Sequence, residues 1–159
     1  MTTWQDFTQE APDLAARVAA RFAAHKHKVM ATLRADGSPR LCGTEVEIVS
    51  GELWLGGMTG NRRFADLRRD PRVAVHSGSD EPDTWSGDAR VAGTAVEAVD
   101  AAEHERYRAG ITGEIPSGPF ELFRVRLAEA VVVELDDARE VLIVRSWRPG
   151  HPVTEVVRR

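Results

Sequence analysis

LWLGGMTGNRRFADLRRDPRVAVH, residues 53–76, decides the fold. It reads as a strand ending in a glycine-containing turn, a short arginine-rich helix that Pro71 stops, and a second strand over residues 72–76. Arg62 and Arg63 fall in the first turn of that helix, with Asn61 or Thr59 available as its cap. Unpaired N–H groups already make a helix N-terminus partially positive, so two cations there are unfavourable on their own. A phosphate between them would satisfy both the guanidinium forks and the backbone donors. A solvated helix start with ordinary surface arginines is the alternative, and spacing leaves both readings open.

Upstream, residues 28–34 alternate like a strand, and ADGSP at 35–39 carries Asp-Gly turn chemistry. Residues 40–49 form the partner strand, with Leu41, Gly43, Glu45 and Glu47 on one side and Cys42, Thr44, Val46 and Ile48 on the other. Another tight turn at 50–52 leads into the third strand, beginning at 53–55. Short strands joined by tight turns argue for an antiparallel meander. An amphipathic helix over 11–24 precedes them, with Pro12 in its first turn and Leu14, Val18 and Phe22 on one face.

Downstream, residues 77–84 are a polar surface loop, and 89–99 form a longer strand in which Gly93 predicts a bulge or a close backbone approach. Asp100 and Glu103 fit a capping box that opens a short helix through Arg108. The glycine- and proline-rich stretch 109–119 is a loop. Residues 120–135 give the strongest strand signal, and a slip of alternation within 122–125 predicts a bulge there. Residues 139–145 pair with it across Asp136 and Asp137. The remaining tail is too polar for another core layer, and Trp147 and Arg148 suit docking onto another subunit. Six or seven strands with three helices predict a small curved antiparallel sheet, closed or nearly closed on itself.

The 159 residues fit one domain, 1–159, with its core at about 22–147. A net charge of −4 disfavours a general nucleic-acid surface. Of 21 basic residues only Lys26 and Lys28 are lysine. No apolar run approaches the ~20 residues of a membrane span, and no leader is evident, so the expected compartment is the cytoplasm. Cys42 stands alone, which excludes an intrachain disulfide and multi-cysteine metal sites. No metal site is expected: His25 and His27 lack partners at useful spacing. No nucleophile–base pair is legible either, so catalytic residues stay unassigned; such proteins often borrow their chemistry from a cofactor.

The turn at 35–39, the strand LWLGG, the basic helix ending LRRDPRV and the strand GDARVAGTA at 87–95 form an ordered set. With these, the chain resembles the pyridoxamine 5′-phosphate oxidase-like superfamily of flavin-binding split barrels. The resemblance implies a mainly β fold, a Greek-key antiparallel split β-barrel with short peripheral helices. It further implies a homodimer with cofactor sites at the interface, binding FMN or, in some relatives, a deazaflavin or haem. By the same resemblance Arg62 and Arg63, helped by Arg68 or Arg69, would grip the cofactor phosphate. Leu55, Gly56, Gly57, Met58 and Thr59 would pass along the cofactor, Cys42, Gly43 and Thr44 would lie near its ring, and His76 would reach the ring edge. The chain's end departs from the arginine–histidine substrate grip of true pyridoxamine phosphate oxidases. The expected activity is therefore hydride transfer to or from a small conjugated or heterocyclic substrate, with binding without turnover as the alternative.

Overall fold

The computed structural model describes residues 2–112 and 117–159. Two helices, α1 (Trp4–Glu10) and α2 (Pro12–Ala24), lead into β1 (Lys28–Leu33), β2 (Pro39–Thr44), β3 (Val46–Val49) and β4 (Glu52–Met58). Then follow α3 (Arg62–Arg69), β5 (Arg72–His76), β6 (Gly87–Glu97), α4 (Ala101–Gly110), β7 (Phe120–Leu135), β8 (Leu142–Trp147) and β9 (Thr154–Arg158).

All the strand pairings are antiparallel, in the order β2-β1-β5-β6-β7-β4-β3, with β8 on β7 and β9 on β8. β2 and β3 stand at opposite ends of that path, yet only Glu45 separates them in the chain. The sheet must therefore curl until its two ends meet, which makes a barrel with a seam between β2 and β3. The mainly antiparallel β fold expected from the sequence is present. The single strand expected over 40–49 is two strands, because Glu45 carries the chain across the seam and changes its partner from β1 to β4.

Inside the barrel lie Met30, Leu53, Leu55, Val75, Val91, Phe123 and Val125, with Phe64 and Leu67 of α3 and Leu14, Val18 and Phe22 of α2 packed against them. Phe64 stacks on Phe123 with ring centroids 5.0 Å apart. A smaller cluster under α4 holds Val49, Trp54, Ala98, Tyr107, Phe120 and Leu122. This second cluster corrects the bulge expected at 122–125: Leu122 and Phe123 are both buried because each serves a different cluster, and the pairing with β4 runs through them without interruption. The bulge expected at Gly93 is present: adjacent Ala92 and Gly93 of β6 pair with Glu129 and Leu127, which leaves Ala128 as the extra residue of β7. Gly93 is required there, since a Cβ would sit 1.9 Å from the Arg126 carbonyl oxygen.

Other boundaries move for local reasons. β4 runs through Gly56 and Gly57 to Met58 instead of turning at them, because both glycines pair with β7. Asp100 caps α4 through the Ala102 N–H, but Glu103 turns away to ion-pair with Arg124 at 2.6 Å, so the expected box is half made. Ala109 and Gly110 belong to α4; residues 113–116 of the loop expected at 109–119 lie outside the described residues. Asp136 Oδ1 accepts from the N–H groups of Glu140 and Val141, which delays β8 to Leu142.

The tail is corrected most. Trp147 is 1 % exposed and packs on Phe7 of the same chain at 4.4 Å, its Nε1 donating to Glu10 at 3.2 Å. It docks onto α1, a helix opened by the Thr3–Asp6 capping box, and not onto a free surface. The residues after it form β9, exposed along its whole length on the sheet edge.

Candidate functional site

A cleft of about 950 Å³ opens along the seam. One wall comes from the end of β2 and start of β3 (Gly43, Thr44, Glu45, Val46, Glu47), and another from β4 and α3 (Gly56, Gly57, Met58, Asn61, Arg63). Phe22, Tyr107, Ile111 and Phe120 give it an apolar side, and His25, Lys26, His27 and Lys28 line the connection from α2 to β1.

Arg63 ties the seam together. Its Nη1 donates to the Gly43 carbonyl of β2 at 2.9 Å and its Nη2 to the Gly56 carbonyl of β4 at 3.2 Å. The Nε is buried with no hydrogen-bond partner among the described residues. Gly57 makes room for this side chain, because a Cβ there would meet the Arg63 Nη2 at 2.6 Å. The local cause is α3, whose cap Asn61 accepts from the Arg63 N–H at 3.3 Å and so starts the helix one residue before Arg63.

The far side of α3 is anchored by a buried carboxylate. Asp66, 3 % exposed, accepts from Thr32 Oγ1 at 2.9 Å, Arg40 Nε at 2.6 Å and Arg69 Nη2 at 3.0 Å. The Arg40 hydrogen bond leads in holding its pKa down to about 2, against the opposing effect of burial.

Lys28 differs. It is 6 % exposed, and its Nζ donates to one acceptor, the Lys26 carbonyl at 3.1 Å. Burial pushes its pKa down, partly opposed by the charges of Glu47 and Glu45. Among the described residues no carboxylate forms an ion pair with it. Tyr107 is buried against Trp54 and Phe120, and burial pushes its phenol up to about 12, so it stays protonated at neutral pH.

Of the residues picked out from the sequence, the cleft gathers Gly43, Thr44, Gly56, Gly57, Met58 and Arg63. The others lie elsewhere. Leu55 is in the core, Cys42 is half-buried on β2 beside the Met30 carbonyl, and Arg62 and Thr59 are exposed. Arg68 is held by Glu97 and Glu121, and Arg69 by Asp66 and the Leu33 carbonyl. His76 donates its Nδ1–H to the Ser77 carbonyl at 2.6 Å and faces Asp88 at 3.5 Å. Lys28 and Tyr107 are two titratable cleft residues that the sequence did not single out as functional. For Lys28 a signal existed, since it is one of two lysines in a chain that otherwise uses arginine.

The chemistry of the cleft suits a planar ligand that carries an anionic group. Cations with unfilled donor capacity stand at Arg63 and Lys28, and a flat ring would cover the apolar side. Among the described residues no group of three or more histidine, cysteine or acidic side chains is placed to hold a metal, and no helix is long and apolar enough to cross a membrane.

The family model for pyridoxamine 5′-phosphate oxidase matches residues 14–134. No curated protein matches the chain in sequence. Among solved structures, a pyridoxamine 5′-phosphate oxidase-related, FMN-binding protein from Nostoc punctiforme superposes with a TM-score of 0.61 at 12% identity, covering 91% of this chain and 94% of that one. PhzG from Burkholderia lata, in complex with tetrahydrophenazine-1-carboxylic acid, gives 0.61 at 14% identity over 98% and 92%. A heme binding protein from Mycobacterium smegmatis gives 0.58 at 18% identity, over 89% of this chain and 57% of that one. At such identities these likenesses show the fold alone.

Proposed function

The chain belongs to the pyridoxamine 5′-phosphate oxidase family, and from that premise we propose that it is an oxidoreductase whose seam cleft binds FMN or a deazaflavin coenzyme. The observation that carries the reading is Arg63. Its guanidinium spans the seam, and its Nε is buried without a partner among the described residues, in a cleft that also has an apolar side. A phosphate at the start of α3 would be held by the remaining Arg63 N–H groups, with exposed Arg62 adding charge from the same turn. Gly56 and Gly57 would let the ligand approach the β4 backbone, and Tyr107, Ile111 and Phe120 would exclude water from one face of the ring. A bound flavin would supply the hydride chemistry; the protein supplies position and electrostatics. Its partner in the reaction would be a small conjugated or heterocyclic molecule, a reading with which PhzG and its bound tricyclic acid agree.

A homodimer completes this reading. β1 and β2 turn an apolar outer face to solvent, where Val29 stands opposite Gly43 and Ala31 opposite Leu41, with Leu41 71% exposed. Met58 at the cleft mouth is 75% exposed, so a second copy of the chain covering this face would also wall the cleft.

One titration tests these points. Dialysed protein is titrated with FMN, riboflavin, a deazaflavin coenzyme and heme by absorbance and fluorescence, and its mass is followed by sedimentation. FMN or the deazaflavin saturating at one per subunit of a dimer, with riboflavin about tenfold to hundredfold weaker than FMN, is the expected result. Equal affinity for FMN and riboflavin overturns the phosphate grip. Saturable binding of heme alone points to the second reading, a carrier or sensor without turnover, which the heme binding neighbour suggests.

A further inference from the structure

A lysine at the start of a strand ordinarily extends its stem over the surface and leaves its ammonium in water. Lys26 does this, with its side chain 74% exposed and 3.5 Å from Glu45. Lys28, two residues on, does the opposite. It pairs in register with Thr44 on β2, and the alternation of β1 sends it inward with Met30 and Thr32. An ammonium has three N–H donors, and among the described residues only the Lys26 carbonyl is placed to accept one. A buried charge so sparsely bonded is destabilising unless something else compensates it.

The neighbouring groups supply that compensation only in part. Glu45 is turned towards Lys26 and His27, at 3.5 and 3.7 Å. Glu47 of β3 acts on Lys28 from beyond ion-pair distance. His25 pairs with Asp80 at 3.0 Å, Arg63 brings a second positive charge across the seam, and the Tyr107 phenol is neutral. What Lys28 does face is the open volume of the cleft.

We propose that Lys28 is a second anion-binding point of the cleft, an ammonium held under-bonded so that its free N–H groups donate to an oxyanion on a planar ligand. This rests on the cleft being a small-molecule site, and it makes Lys28 a determinant of which ligand enters. The oxyanion belongs either to the phosphate cofactor or to the molecule that reacts beside it.

The test compares wild-type protein with Lys28→Met and Lys28→Arg, using benzoate as a planar carboxylate and FMN, or the deazaflavin coenzyme where FMN does not bind, as the phosphate ligand. Melting temperature without ligand and affinity for each ligand are measured for all three. The proposal expects Lys28→Met to melt no lower than wild type, to lose about tenfold to hundredfold in affinity for at least one ligand, and Lys28→Arg to retain most of it. Weakened FMN binding places the oxyanion on the cofactor; weakened benzoate binding alone places it on the second ligand. A Lys28→Met protein that melts below wild type, or that binds both ligands as wild type does, overturns the proposal. Should neither FMN nor the deazaflavin coenzyme bind wild type while benzoate binds in a Lys28-dependent way, the cofactor reading falls and Lys28 stands. Binding of neither ligand to wild type overturns both.

Discussion

Asp66 and Lys28 are both buried charges of this barrel, and they are treated in opposite ways. Asp66 receives three side-chain donors from β1, β2 and its own helix. Among the described residues Lys28 has a single backbone acceptor, and a cleft lies in front of it. Each charge loses hydration on burial, so the difference lies in what replaces the water. Around Asp66 the protein replaces it completely, and the result is architecture: α3 is fixed against β1 and β2. Around Lys28 the protein replaces it in part, which leaves binding capacity directed at whatever enters.

The contrast can be broken at Asp66 first. Asp66→Ala removes the acceptor and strands Arg40 and Thr32, so a loss of about 3 kcal/mol is expected from urea unfolding. A loss near zero would show that the cluster is decorative. Next in size is acid sensitivity. The folded pKa of Asp66 is about 2 against an ordinary 3.8, so the folded state binds the proton less readily. Its contribution is present above the ordinary value and is lost as pH falls through about 2. The stability gap between wild type and Asp66→Asn should therefore narrow by about 1–2 kcal/mol over that window, while the other acidic residues titrate equally in both. The smallest effect is at Lys28. Removing an under-bonded cation by Lys28→Met should raise the stability of the ligand-free protein by up to about 1 kcal/mol near neutral pH. Because burial lowers the Lys28 pKa, the folded state gives up this proton before the unfolded chain does. The gain should thus be full below the folded pKa and vanish as pH rises to the ordinary 10.5.

Much of the local structure was legible. Asn61 caps α3 and Asp70 and Pro71 follow its end, the Asp36-Gly37 turn joins β1 to β2, and Asp100 starts α4. These signals act over a few residues and need nothing from the rest of the chain. What escaped reading depends on distant partners. α1 offers only Trp4 and Phe7 to the core, and its place is made by Trp147, 140 positions from Phe7 along the chain. The break at Glu45 leaves no mark in an alternating run, because β2 and β3 differ in their partners and not in their pattern. Gly93 marked the bulge of β6 and β7, whereas the slip of alternation at 122–125 marks none and reflects two clusters on opposite faces of β7.

The candidate site divides in the same way. The sequence by itself determined an antiparallel β chain with a glycine pair on β4 and two arginines in the first turn of α3, since strand alternation, turn chemistry and capping are local. Only the tertiary structure decided which cations serve the cleft. Arg68 and Arg69 are drawn off by Glu97, Glu121 and Asp66, Arg63 is stretched across the seam, and Lys28 is turned inward. The reason is that a charged side chain takes its role from the groups that close around it, and those groups come from strands and helices tens of residues away, as Thr32 and Arg40 do for Asp66.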